Sequence, residues 1–157
     1  MTMTVRPAGR LDTREMADLL NGIIAKGGTT AMTDPVTRDM LQDWMDSSPD
    51  RSAWRVAEDA AGRILGFQWI EPHPDLPDTC CDIASFVRLG QTGIGVGSAL
   101  FEATKDAART LGYAAIIAVI RADNAQGLAY YQSRGFEDWG LWDDAPVAPR
   151  VLKRYDL

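Results

Sequence analysis

Four glycines, Gly90, Gly93, Gly95 and Gly97, crowd into the stretch Arg88-Leu-Gly-Gln-Thr-Gly-Ile-Gly-Val-Gly-Ser98. A strand-like run, Cys80 to Val87, leads into it, and a helical pattern with Val96, Leu100, Ala103 and Ala107 leads out. Strand, glycine loop and helix in that order leave backbone N–H groups free at a helix N-terminus. Those groups and the helix dipole favour an anion, most often a phosphate. Glycine suits the place because a Cβ would block close backbone approach and left-handed dihedrals. The same cluster could be a tight turn and nothing more, so the loop alone leaves both readings open. It excludes one class and fits another poorly. No Gly-Lys-Ser/Thr is present, so this is not a nucleoside-triphosphate P-loop. The spacing is Gly-x-Gly-x-Gly rather than the dinucleotide Gly-x-Gly-x-x-Gly, and Asp123, the acid after the next strand, lies too far along.

The elements that must position this loop follow from periodicity. Thr4 to Arg10 reads as a first strand, with Pro7 placing it at a sheet edge. Asp12 or Thr13 caps a helix carrying Met16, Leu19, Leu20, Ile23 and Ile24 at helical spacing, ended by Gly27-Gly28. Asp34-Pro35 opens a second helix, Val36 to Met45. Ala53 to Ala57 and Ile64 to Ile70 form a hairpin, and Glu71 to Asp78 is too proline-rich for regular structure. After the glycine loop and its helix, Tyr113 to Ile120 is nearly all apolar, as a strand buried on both faces would be. Asn124 is a candidate cap, Gly127 to Ser133 a short helix, and Phe136 to Trp142 and Val151 to Tyr155 are final strands. The fold class is α+β, a mixed sheet flanked by helices, in one domain over residues 1–157.

The chain carries 16 basic and 22 acidic residues, a net charge of −6. That disfavours nonspecific nucleic-acid binding and weakly favours a cationic or neutral substrate. No apolar run is long enough to span a membrane and no signal-like segment opens the chain, so a cytoplasmic location is expected. One histidine, His73, and two adjacent cysteines, Cys80 and Cys81, make no metal site; none is expected.

A second motif changes the weight of the first. Asn124-Ala-Gln-Gly-Leu-Ala-Tyr-Tyr-Gln-Ser-Arg-Gly-Phe136 follows the buried strand. Together with Thr92-Gly-Ile-Gly-Val-Gly-Ser98 it resembles the GCN5-related N-acetyltransferase (GNAT) superfamily, over essentially the whole chain. The family pattern is Gln/Arg-x-x-Gly-x-Gly/Ala. Here Thr92 stands at the usual Gln/Arg position, with Gln91 one residue early.

The resemblance implies a mainly antiparallel central sheet, splayed between the fourth and fifth strands, and acetyl-CoA as cosubstrate without a metal. It implies that the main chain of Val87, Arg88 and Leu89 pairs with the pantetheine arm. The amides across Thr92, Gly93, Gly95, Val96, Gly97 and Ser98 would cradle the pyrophosphate, and Asn124 would bond the cofactor backbone. Tyr131, selected over Tyr130 by its spacing to Gly135-Phe136, matches the family's acid for the departing thiolate. Two residues about 100° apart on a helix cannot face one place, which leaves Tyr130 to packing. Glu71 and Asp82 are the candidate general bases, each also readable as a structural acid; the imidazole of His73 is a further option, but it lies between two prolines. The expected reaction moves an acetyl group to a primary amine, of a small molecule rather than a protein tail. A noncatalytic acyl-CoA-binding module is the alternative. Many members of this superfamily dimerise, so a homodimer is an option.

Overall fold

The computed structural model describes residues 2–91 and 95–157. Its element order is β1 (Met3–Pro7), α1 (Thr13–Lys26), α2 (Arg38–Asp46), β2 (Ala53–Asp59), β3 (Ile64–Glu71), β4 (Cys80–Val87), α3 (Val96–Thr110), β5 (Ala115–Arg121), α4 (Ala125–Ser133), β6 (Glu137–Trp142) and β7 (Arg150–Asp156). The strands form one sheet in the order β1-β2-β3-β4-β5-β7-β6. Every neighbouring pair is antiparallel except β4 with β5. The expected α+β architecture and element order are those observed.

Alternation along β2 and β3 explains the two layers. Trp54 and Val56 on β2, with Phe67 and Trp69 on β3 and Phe86 on β4, face α1 and α2. There they pack with Met16, Leu20 and Leu41, all fully buried. The residues between them face α3 and α4. Ala57, Leu65, Val96 and Leu100 form one apolar cluster on that side, and Ile83, Phe101, Ile116, Ala118 and Phe136 another. Strand β5 is buried on both faces, with Ile116, Ala118 and Ile120 in that last cluster and Ala115 and Ile117 packed with Leu76, Cys80 and Leu152 on the other side, which is why its sequence has no polar alternation.

The central strands part company. The parallel pairing of β4 with β5 runs from Cys80 opposite Ala115 to Ile83 opposite Ala118 and stops there. Strand β4 continues to Val87 paired only with β3, while β5 continues to Arg121 paired only with β7. The expected splay is therefore present. It leaves the β4 edge beyond Ile83 with main-chain groups that no strand satisfies.

Several boundaries differ from expectation: β2 runs on to Asp59, β5 starts at Ala115 rather than Tyr113, and α4 starts at Ala125 rather than Gly127. The first strand ends at Pro7, and Arg10 lies in a short 3-10 turn instead. The second helix starts at Arg38, not Val36, because the Asn21 side chain on α1 takes both main-chain groups of Val36, at 2.7 and 2.9 Å. Thr37 is then the N-cap, its hydroxyl accepting from the Met40 N–H at 3.1 Å.

Candidate active site

A cleft of about 920 Å³ opens where β4 and β5 diverge. The free edge of β4 forms one wall, β5 and α4 the other, the N-terminus of α3 its mouth, and the 29–32 segment after α1 a further side. Of the residues singled out in the sequence, Asp82, Val87, Leu89, Gly95, Val96, Gly97, Ser98, Asn124 and Tyr131 all line it.

The mouth presents uncapped main-chain amides. Gly95 is the N-cap of α3 with φ 86°, a left-handed conformation that favours glycine, and it has no side chain to satisfy the first-turn N–H groups. Those amides belong to Val96, Gly97 and Ser98. Thr92 and Gly93 lie outside the described residues. Arg134, at the C-cap of α4, reaches over to hydrogen-bond the Ser98 hydroxyl with Nη1, and its buried Nε has no partner among the described residues. Nothing local in the sequence marks Arg134, because its meeting with Ser98 spans 36 residues. Lys105 and Arg109, the basic residues of α3, point elsewhere: Lys105 pairs with Glu102 at 3.1 Å and Arg109 lies 3.8 Å from Asp106.

Gly97 has a different reason from the one its motif suggests. A Cβ there would lie 2.7 Å from Cε1 of Tyr130. The glycine is required by the tyrosine, whose hydroxyl donates to the Gly97 carbonyl at 2.7 Å.

Along the β4 wall, Arg88 stands apart from Val87 and Leu89. It does not line the cleft. Its N–H donates to Leu65 O at 2.8 Å, and its guanidinium is held by Ile64 O at 2.7 Å and Glu15 at 3.0 Å. Strand alternation means that when Arg88 faces β3, the main-chain groups of Val87 face the open edge. Arg88 anchors the strand and Val87 offers the pairing groups.

Asn124 does two jobs within the protein. Its carbonyl caps α4, accepting from the Gly127 N–H at 3.0 Å, and its amide donates to Thr29 O at 3.2 Å. Arg121 holds the same segment by donating to Thr30 O at 2.9 Å, while it pairs with Asp123 at 2.7 Å. One amide hydrogen of Asn124 remains for a ligand.

Both tyrosines border the cleft, contrary to the expectation that Tyr130 is packing alone. Their rings stand 4.9 Å apart at 65°, and their hydroxyls diverge. Tyr130 reaches Gly97, whereas Tyr131 meets the Ser85 hydroxyl at 2.7 Å. The Tyr131 ring is buried against Phe136, 5.1 Å away. Burial holds its pKa well above the usual phenol value, against the opposing pull of the Ser85 hydrogen bond. It is a neutral phenol throughout the ordinary pH range.

The carboxylates separate. Asp82 lines the cleft; Glu71 does not, although the two are cross-strand partners between β3 and β4. Burial, and then the Glu71 charge beside it, push Asp82 up to about 8. Burial raises Glu71 as well. His73 lines the cleft beside Trp142, with ring centroids 5.5 Å apart, and its Nδ1 accepts from the Asp75 N–H at 3.0 Å.

Charge inside the cleft runs against the charge of the chain. Lys26, Arg121, Arg134 and Arg150 line it, and among the described residues Asp82 is the one acidic residue that does. Arg150 forms no ion pair among the described residues. The weak case for a cationic substrate, drawn from net charge, does not carry over to the site. Among the described residues no group of three or more His, Cys, Asp or Glu side chains is placed to hold a metal ion.

Residues 19–136 match the family model described as the Acetyltransferase (GNAT) family. The Bacillus subtilis protein YwnH, whose name assigns it provisionally to phosphinothricin acetylation, is 30% identical over 99% of this chain and 95% of its own. The L-methionine sulfoximine/L-methionine sulfone acetyltransferase of Pseudomonas aeruginosa is 30% identical over 87% of this chain and 81% of its own. Among solved structures, a GCN5-related N-acetyltransferase from Kribbella flavida superposes with a TM-score of 0.84 at 27% identity, covering 99% of this chain and 98% of that one.

Proposed function

The chain belongs to the Acetyltransferase (GNAT) family and is an acetyl-CoA-dependent transferase of an acetyl group to an amine, and from that premise we propose that its acceptor is the primary amine of a small molecule, with Tyr131 as general acid and Asp82 as general base. The observation that carries the reading is the company these two residues keep. One cleft holds a raised carboxyl, a buried neutral phenol, an unpaired strand edge and an uncapped helix N-terminus.

Acetyl-CoA supplies an activated acyl carbon and a thiol leaving group. The residues that fit it are the free edge of β4 at Val87 for the pantetheine arm and the amides of Val96, Gly97 and Ser98 for the pyrophosphate. Arg134 adds positive charge at that mouth, and its buried Nε has no partner among the described residues. Replacing Arg134 by alanine is expected to raise KM for acetyl-CoA about tenfold with little change in kcat, since one charge-assisted hydrogen bond is worth about 1.5–3 kcal/mol. Initial-rate kinetics at varied acetyl-CoA measures it.

Asp82 takes the proton that the amine must lose as its nitrogen bonds to the acyl carbon. When the carbon–sulfur bond breaks, the electron pair stays on sulfur and the Tyr131 proton goes to it. Both groups are general catalysts of the kind that enzymes tune by burial.

The acceptor reading draws on the relatives and on the basic lining. Phosphinothricin and the methionine derivatives named for the relatives carry anionic groups beside the amine. Arg150, which forms no ion pair among the described residues and donates to the Ala148 carbonyl, provides a counter-charge for such a group. The test is acetyl-CoA consumption with phosphinothricin, L-methionine sulfone, an aminoglycoside and an N-terminal peptide. Turnover on the two amino acids, lowered by Arg150→Ala, supports the reading; turnover on the peptide alone sinks it. Coenzyme A binding with no turnover on any amine favours the binding module instead.

A further inference from the structure

We propose that Gln68 and Ser85 set the direction of the Tyr131 proton. A chain of hydrogen bonds from the Gly97 carbonyl makes Ser85 donate to Tyr131, and so leaves the Tyr131 O–H free to point into the cleft. This rests on the reading of Tyr131 as the acid, and it makes Gln68 and Ser85 positioning residues for it.

The argument is one of donor arithmetic. The Tyr130 hydroxyl has a single hydrogen, and it lies 2.7 Å from the Gly97 carbonyl oxygen, which can only accept. Tyr130 is thereby committed as a donor to Gly97. Toward Gln68, 3.2 Å away, its oxygen can only accept. The Gln68 atom facing Tyr130 must therefore be the amide nitrogen, which fixes the orientation of the side chain. That nitrogen has a second hydrogen, and Ser85 Oγ stands 2.7 Å from it. Ser85 accepts there. Its own hydrogen has one remaining partner among the described residues, Tyr131 Oη at 2.7 Å. With Ser85 donating, Tyr131 accepts and keeps its own hydrogen for the cleft that both residues line.

Two further observations agree. Gln68 is fully buried on β3, and its Oε1 has no partner among the described residues. An orphaned buried acceptor is unfavourable. The amide holds this orientation because Tyr130 and Ser85 both need a donor, not because its own oxygen is satisfied. Second, once Tyr131 has given its proton to sulfur, the phenolate left behind is buried and needs a donor. Ser85 already supplies one, and the proton balance closes when Tyr131 is re-protonated from solvent as the thiol leaves.

The experiment compares Ser85→Ala, Ser85→Thr, Gln68→Met and Tyr131→Phe, and Ser85→Ala combined with Tyr131→Phe. It reads kcat, KM for acetyl-CoA and thermal melting. Ser85→Ala is expected to lower kcat about tenfold at unchanged KM, the worth of one orienting hydrogen bond. Ser85→Thr, which keeps the hydroxyl, is expected to restore kcat. Gln68→Met is expected to lower kcat about threefold, because Ser85 loses its fixed direction but keeps its hydrogen. In the Tyr131→Phe background, Ser85→Ala is expected to cost nothing more. Wild-type kcat in Ser85→Ala, with Tyr131→Phe impaired, overturns the relay and spares the acid. Wild-type kcat in Tyr131→Phe overturns the acid itself. A Ser85→Ala loss that adds fully to that of Tyr131→Phe also overturns the relay, since Ser85 would then act independently. If Ser85→Ala does not fold, Gln68→Met decides, and wild-type kcat there goes against the relay.

Discussion

Replacing Tyr131 by phenylalanine is expected to lower kcat by about a hundredfold to a thousandfold while KM for acetyl-CoA stays within about threefold, the pattern of a lost general acid. The substitution removes one oxygen and keeps the ring. The contacts of that ring with Phe136 at 5.1 Å and Tyr130 at 4.9 Å survive. The Ser85 hydrogen bond is lost, yet Ser85 borders the cleft and can turn to water. The melting temperature is therefore expected to stay within a few degrees, as for about 1 kcal/mol or less. The chemical origin of the defect can be read separately. A thiolate leaving group needs a proton less as the parent thiol becomes more acidic. An acetyl thioester of a more acidic thiol should therefore narrow the gap between the Tyr131→Phe variant and the wild type. An equal gap for both thioesters would count against proton donation to sulfur.

The sequence identified this cleft unevenly, and the reasons are physical. Strand β5 was readable because burial on both faces removes polar residues from a contiguous run, a local consequence of a global position. The α3 entry was readable because a left-handed N-cap at Gly95 favours glycine. Asn124 was readable as a cap because capping is a contact within one turn. Contacts between distant segments leave no such mark. Gly97 looks like part of a phosphate motif, yet the atom it makes room for belongs to Tyr130, far along the chain. Tyr130 itself was left to packing, because spacing to Gly135-Phe136 selects Tyr131 and helical angle turns the two side chains apart. Angle separates the two side chains by direction but not by destination, and a cleft wide enough to part β4 from β5 receives both. Gln68, Ser85 and Arg134 went unread for the same cause. Each is an ordinary polar residue whose role exists only through partners 17, 46 and 36 residues away.

Asp82 carries the second large expectation, in the pH dependence of turnover. Its carboxyl titrates near 8 because it is buried and because Glu71 faces it across the β3–β4 pair. A base works when deprotonated, so kcat/KM is expected to rise with pH up to about 8 and level off above it. Asp82→Asn should remove that limb and cost about a hundredfold at the plateau. Glu71→Gln should do something different. Removing a neighbouring negative charge lowers the Asp82 pKa, so the limb moves toward acid and a larger share of the enzyme is competent near neutrality. A limb that ignores Glu71→Gln would assign the titration to another group. Stability gives an independent reading with a fixed sign. The folded protein keeps a proton on Asp82 at pH values where the unfolded chain, with an ordinary carboxylate, has released it. The fold is then most favoured by this group below its ordinary pKa of 3.8, and that contribution is lost as pH rises toward about 8. Asp82→Asn removes the charge without removing the shape. The melting temperature of the variant should accordingly exceed that of the wild type by a margin that widens from pH 5 to pH 8. The same substitution that costs activity should therefore stabilise the protein, as expected where a carboxylate is held in a buried place for its chemistry.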